Sequence, residues 1–348
     1  MPMNSRSLAT LAALVIIVLA AAVWVSMARH PQAEHSSTLY PALKGKLDSI
    51  QAVRIYGAGN QRKVELVRAQ DGWHVSERSK YPAAPDKVRA LLLGMSAAKS
   101  IEEKTSNPEN YAALGVEDVA ATGATGVRVE LVGANGFDLI VGKTGQGANS
   151  YVRKAGDKTS WLIDRMLEAP TEPKEWLDPK LIDIAANRIQ SAHIELEGQQ
   201  PYTAAKATEK DANFAVSGLK KGQPLNSESA ANGVSAALAN LNLEDVAPYS
   251  EWQTKPTQAK ATYTTFDGTI LELSGWTAGD AHHIHARVRY AAQPAAQPDE
   301  KDKKAGAVTP DRKAEAAALD ARLRSWVFRL PDYKYGAIFT PLENLLKK

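Results

Sequence analysis

A strand–turn–strand pattern that recurs at a nearly constant offset constrains this chain more than any other feature of its sequence. Val53-Arg54-Ile55-Tyr56-Gly57 lies over Ile194-Glu195-Leu196-Glu197-Gly198, and the same gapless register places Trp73-His74-Val75-Ser76 on Phe214-Ala215-Val216-Ser217. Apolar residues fall at alternate positions in both copies, the period of half-buried strands. Turns are marked by Gly57-Ala58-Gly59-Asn60 and Asp71-Gly72 in the first copy, and by Gly198-Gln199-Gln200 and Asp211-Ala212-Asn213 in the second. A helix is predicted next in each. Val88, Leu91, Leu92, Met95 and Ile101 follow Pro85-Asp86 at helical spacing, while Val234, Leu238 and Leu241 follow the capping candidates Asn226 and Ser227.

A second hairpin comes after each helix. Val127, Val129 and Leu131 turn at Asn135-Gly136 into Phe137, Leu139 and Val141; Ala259, Ala261 and Tyr263 turn at Asp267-Gly268 into Thr269, Leu271 and Leu273. Asn-Gly and Asp-Gly between alternating strands are strong hairpin signals, because the favoured turn needs positive φ at its centre. Ser160-Trp161-Leu162-Ile163 is then echoed by Ser325-Trp326-Val327-Phe328. These matches, in one order, predict an α+β protein of two similar tandem modules, each an antiparallel β-sheet with a helix packed on one face. The alternative is the generic likeness of all strand–turn–helix sequences. The modules are set at residues 46–185 and 186–348. In the second, the Pro-, Ala- and charge-rich stretch 291–312 predicts a flexible insertion, and Lys313 to Arg324 a helix. Thr340-Pro341-Leu342-Glu343 predicts a capped terminal helix, and Trp176 to Ile184 a capped helical turn between the modules.

Ahead of this body, Leu8 to Met27 carries no charge and is long enough to cross a hydrocarbon core of about 30 Å as a helix. Residues 1–28 are therefore expected to be a cytoplasmic tip and transmembrane anchor, and 29–45 a linker. Trp24 falls where tryptophan favours the membrane interface. An uncleaved anchor is the reading its length favours; a cleaved signal peptide ending at Ser26-Met27-Ala28 is the alternative. A short positive leader with an apolar run behind it exports the rest of the chain, which places the body in the periplasm of a bacterial inner-membrane, single-pass protein.

Composition removes several chemistries. With 42 basic against 39 acidic residues there is no strong field for nucleic acid, and no nucleic-acid partner is expected. The absence of cysteine excludes disulfides, thiolate nucleophiles and thiolate metal sites. Gly142-Lys143-Thr144 imitates a phosphate loop, but position 137 is Phe where that motif needs Gly. His282, His283 and His285 form the one histidine cluster; on a strand His283 and His285 share a face, a weak candidate metal pair set against a solvated strand face. Glu102-Glu103 and Asp299-Glu300 are expected to be solvated, and no serine sits in a Gly-x-Ser-x-Gly elbow. Trp73, Trp161, Trp276 and Trp326 fall on predicted strands as core residues.

The run Trp73 to Leu93, the Tyr111-Ala112-Ala113-Leu114-Gly115 segment, the Val141-Gly142 strand end, Tyr151-Val152-Arg153, Trp161-Leu162-Ile163 and the Leu177-to-Ile194 passage resemble the domain-of-unknown-function family 4340. The likeness is closest over residues 50–200. It implies a single-span envelope protein encoded beside ABC transporters of the gliding-motility type, and it supplies no catalytic residues. The function expected is thus a membrane-anchored, periplasm-facing, non-enzymatic accessory of an ABC-type transport system, with permease or ATPase subunits as partners and no cofactor. The alternative is an envelope binding module for a glycan, peptide or lipid, with Tyr249, Trp252 and Trp276 lining a groove. A hydrolase would need a clustered nucleophile and base, and the sequence offers none.

Overall fold

Alternation becomes a ladder because each half-buried strand must turn the same face inward as its neighbour. The computed structural model describes residues 37–292 and 311–348; Leu8 to Met27 and most of the 291–312 insertion lie outside the described residues. Among the described residues no helix is long and apolar enough to cross a membrane. The first half of the chain contributes β1 (Ala52–Gly57), β2 (Gln61–Ala69), β3 (Gly72–Val75), β4 (Lys99–Thr105), β5 (Val127–Val132), β6 (Leu139–Thr144), β7 (Ser150–Lys154) and β8 (Ser160–Ile163). The second contributes β9 (Ile189–Leu196), β10 (Tyr202–Ala205), β11 (Ala215–Ser217), β12 (Asp245–Pro248), β13 (Ala259–Thr265), β14 (Thr269–Ala278), β15 (Ala281–Tyr290) and β16 (Trp326–Leu330). The helices are α1 (Pro85–Ala97), α2 (Tyr111–Leu114), α3 (Asn232–Ala236), α4 (Arg312–Leu323) and α5 (Asp332–Ile338). The protein is α+β, dominated by antiparallel sheet.

Contacts divide the described residues into two units, one of 37–63 with Arg89–Thr171, the other of Val64–Val88 with Glu172–Lys348. In the first unit the strand order is β4-β8-β7-β6-β5-β1; in the second it is β12-β16-β15-β14-β13-β9-β10-β11. Residues 64–88, which a tandem reading assigns to the first module, group with the second unit. Arg78 holds Asp245 through two bonds of 2.6 and 2.9 Å, the Tyr81 ring stands edge-on to Trp326 and Phe328, and the Ala84 amide donates to the Trp176 carbonyl.

Several local expectations are revised by register and capping. β5 pairs with β6 through Val129↔Leu139, so Phe137 falls in the turn, where it packs edge-on against Tyr40. Gly133 and Gly136 both carry positive φ in that turn. Val88, Leu91, Leu92 and Met95 are the buried face of α1, but Ile101 lies on β4. α3 has only five residues and no side-chain cap; Asn226 instead bonds to the carbonyls of Asn344 and Leu345. Leu241 belongs to a two-residue strand paired with Lys180–Ile182. Thr340 turns back to the Gly336 and Ala337 carbonyls and closes α5, leaving Leu342–Leu345 as a 3-10 turn without a side-chain cap. The junction is a 3-10 turn, Pro173–Trp176, followed by Lys180–Ile182. α4 forms as its composition implies, capped by Asp311 on the amides of Lys313 and Ala314.

Gly142 and Lys143 serve the fold. A Cβ at Gly142 would meet the Leu114 carbonyl oxygen at 2.3 Å, and Lys143 Nζ donates at 3.1 Å to the Ala112 and Ala113 carbonyls at the end of α2. On the adjacent β7, Arg153 is only 2% exposed. Its guanidinium donates to the carbonyls of Val116 and Asp157 and to the Asp118 carboxylate, each at 2.8 Å, and lies 4.6 Å from the Tyr111 ring centroid. The segment of Val116 and Asp118, distant in sequence, and the turn of Asp157 that follows β7 are thereby clamped to one strand. Arg153→Met keeps the stem and leaves these acceptors without their donor, so a loss of about 3 kcal/mol is expected in urea unfolding. A loss below about 1 kcal/mol would show that the clamp does not hold α2 in place.

Candidate functional site

The residues singled out by sequence gather at one place in the second unit. β15 alternates, so His283 and His285 share one face with Arg287 while Ile284, Ala286 and Val288 enter the core. A 3-10 turn, Tyr249–Glu251, lies against that face after β12. Tyr249 stacks on His285 with centroids 3.7 Å apart and planes 6° apart. Trp252 lies 4.5 Å from His283 and 5.7 Å from Trp276 on β14. Lys255 covers the Trp252 ring, with Nζ 3.4 Å from its centroid.

Burial defines what this cluster is. Trp252 is 8%, Trp276 4% and His285 5% exposed, and Val327 closes the group from below. The tryptophans form a packed core, not the lining of an open groove; Tyr249 is the half-buried member. His285 donates through Nε2 to the Arg324 carbonyl at 3.0 Å, whereas the buried Nδ1 of His283 has no partner among the described residues. On the opposite face His282 stacks on Tyr335 at 4.4 Å. Lys255 is not legible as a member from the sequence, because the turn after β12 reaches β14 and β15 only in three dimensions.

Both inward imidazoles are held below their usual pKa. Burial is the main cause for His283, aided by Arg329, Lys255 and His282 against the backbone of Ala281. Burial again dominates for His285, with the Arg324 carbonyl and Asp320 acting in the opposite sense to Arg287. Each ring is neutral at pH 7 and occupied by an aromatic neighbour. Among the described residues no group of three or more His, Cys, Asp or Glu is placed to hold a metal ion, so the pair has no third ligand of those types beside it.

The first unit carries a second feature, a cavity of about 460 Å³ lined by Tyr40, Arg54, Glu130, Asp138, Lys154 and Asp157. Register builds it: Arg54 lies opposite Glu130 and Tyr56 opposite Arg128 on β1 and β5. Tyr56 donates to Glu130 at 2.8 Å, Arg128 pairs with Asp138 at 3.0 Å, and Tyr40 donates to the Asp138 carbonyl at 2.7 Å. Burial, then the neighbouring Glu130, raises the Asp138 carboxyl against the pull of Arg128; burial also raises Tyr40. Sequence reasoning missed this cavity, although the outward positions 54, 56, 128 and 130 alternate as a paired polar face.

The fold and these packed clusters define an antiparallel α+β protein whose aromatic and histidine residues are engaged within its own body. Residues 73–265 match the family described as Domain of unknown function (DUF4340), and the chain belongs to that family. The match begins in β3 and ends with β13. Comparison with curated proteins and with solved structures gives no match.

The lowered imidazole pKa values fix the sign of a pH dependence. A base whose folded pKa lies below its unfolded value stabilises the fold fully above the unfolded value, and that contribution is lost as pH falls through the folded one. Stability should therefore decline below about pH 6.5. His283→Phe preserves a ring beside Trp252 and removes the orphaned nitrogen. It should match or exceed the parent at pH 7, by up to about 1 kcal/mol, and lose less on acidification. Parallel pH profiles for the two proteins in chemical unfolding would contradict the assignment.

Proposed function

We propose that this protein is a membrane-anchored, periplasm-facing accessory of an ABC-type transport system, held at the bacterial inner membrane by Leu8 to Met27 and without catalysis of its own. The observation that carries this reading is the uncharged Leu8–Met27 run set ahead of a β-rich body. The resemblance of the chain to its family supports the transporter link. The polar side chains that could suggest chemistry are committed to structure: Lys143 to the end of α2, Arg153 to three oxygen acceptors and His285 to the Arg324 carbonyl.

The body is proposed to be a duplicated module. Its support is the strand order, since β4-β8-β7-β6-β5-β1 becomes β12-β16-β15-β14-β13-β9 when each label is raised by eight. Such a body offers broad sheet surface for a protein partner. A second reading, an envelope binding module for a small polar ligand, draws on the mixed-charge cavity around Arg54, Glu130 and Lys154.

Purification of the full chain from membranes in mild detergent separates these readings. A permease or ATPase subunit should co-purify in stoichiometric amount. Recovery of the chain without either subunit, under conditions that preserve a known transporter complex, counts against the accessory role.

A further inference from the structure

The surface of the first unit that receives the chain from its amino-terminal side has a composition suited to a lipid headgroup region. A groove of about 980 Å³ is lined by Pro41, Leu47, Leu93 and Met166 and rimmed by Lys44, Lys99 and Arg165. Leu93 is 49% and Met166 44% exposed; among the described residues only Tyr333 is a further exposed large hydrophobic. Packing explains why they stand out. α1 buries Val88, Leu91, Leu92 and Met95, which leaves Leu93 on its outer side. A Cβ at Gly94 would meet Leu167 Cδ2 at 2.7 Å, so α1 lies close to the segment that carries Met166. The two exposed apolar side chains line one groove instead of being scattered singly over the surface.

The position of the groove selects its occupant. Ser37 and Thr38 pair with Ser100 and Lys99, and Thr38 itself lines the groove. Ser37 stands ten residues after Met27, a distance of at most about 36 Å for a fully extended chain. The rim is cationic, with Lys44 and Lys99 joined by Arg165, whose guanidinium also pairs with Asp164 at 2.9 Å. Aliphatic side chains flanked by Lys and Arg suit the boundary between acyl chains and phosphate groups. We propose that this groove seats the body on the anionic phospholipid surface of the membrane that holds the anchor. The proposal rests on the anchor reading above.

The cysteine-free sequence permits a direct test. Full-length Leu93→Cys and Met166→Cys, with Thr122→Cys as an exposed position outside the groove, are labelled with an environment-sensitive fluorophore. They are reconstituted into phosphatidylcholine vesicles with and without phosphatidylglycerol. Carbonate extraction reports the anchor separately. With the chain retained, quenching by doxyl-labelled lipid should be several-fold greater at 93 and 166 than at 122. It should fall when phosphatidylglycerol is omitted or when Lys44→Glu and Lys99→Glu are combined. Equal quenching of all three positions by aqueous iodide, in protein that resists extraction, overturns the proposal and leaves the anchor standing. Shielding that persists in detergent without lipid assigns the groove to a protein contact and also overturns it. Release of the chain by carbonate overturns both readings.

Discussion

Register is the constraint on which the rest of this structure depends. An antiparallel strand with one covered face cannot slip by one residue without turning its whole apolar set outward. In the first unit Val129, Leu131, Leu139 and Val141 are buried together because Val129 meets Leu139 and Val127 meets Val141. In the second, Ala261, Tyr263, Leu271 and Leu273 are buried because Tyr263 meets Leu271 and Ala261 meets Leu273. Each central hairpin has a strand laid on either side of it, β1 and β7 in the first unit and β9 and β15 in the second.

Upon this frame, the strand three places from β1 or β9 in each order carries the groups that fasten a crossing segment. On β7, Arg153 draws Val116, Asp118 and Asp157 over the sheet and packs against Tyr111. The corresponding strand of the second unit, β15, performs a related task with different residues: Arg287 and the Val288 amide both bond to Asp320 of α4 at 2.9 Å. His285 adds its bond to the Arg324 carbonyl. A buried guanidinium or imidazole is costly unless its donors are met by such acceptors. For Arg153 and His285 most of these acceptors are backbone carbonyls at the ends of helices and turns, so satisfying the polar group also positions the connection.

Much of this is readable from residues alone, and the exceptions have physical causes. Alternation locates both central hairpins, and the Ala-rich Lys313 to Arg324 stretch gives α4 within one residue at each end. Phe137 continues the alternation of a strand, but the register that pairs Val129 with Leu139 places it in the turn. Thr340 and Asn226 have capping chemistry yet direct it to carbonyls elsewhere, a choice that tertiary contacts make. Tyr249, Trp252, Trp276, His283 and His285 each stand out separately in the sequence; that they meet in one packed cluster results from the pairing of β14 with β15 and from the turn after β12 that lies against them. The cavity of the first unit is not visible in the sequence, since its lining joins the paired strand residues Arg54 and Glu130 to Tyr40, Asp138 and Lys154 from other segments.

Native-state hydrogen exchange tests the central claim, that each unit is organised around its own central hairpin. Amides of β5 and β6 in the first unit, and of β13 and β14 in the second, should exchange last, through the largest opening of their unit. Amides of the short strands β3 and β11 should exchange far earlier. Equal protection of those short strands and the central hairpins, or loss of the hairpins before them, would contradict the account.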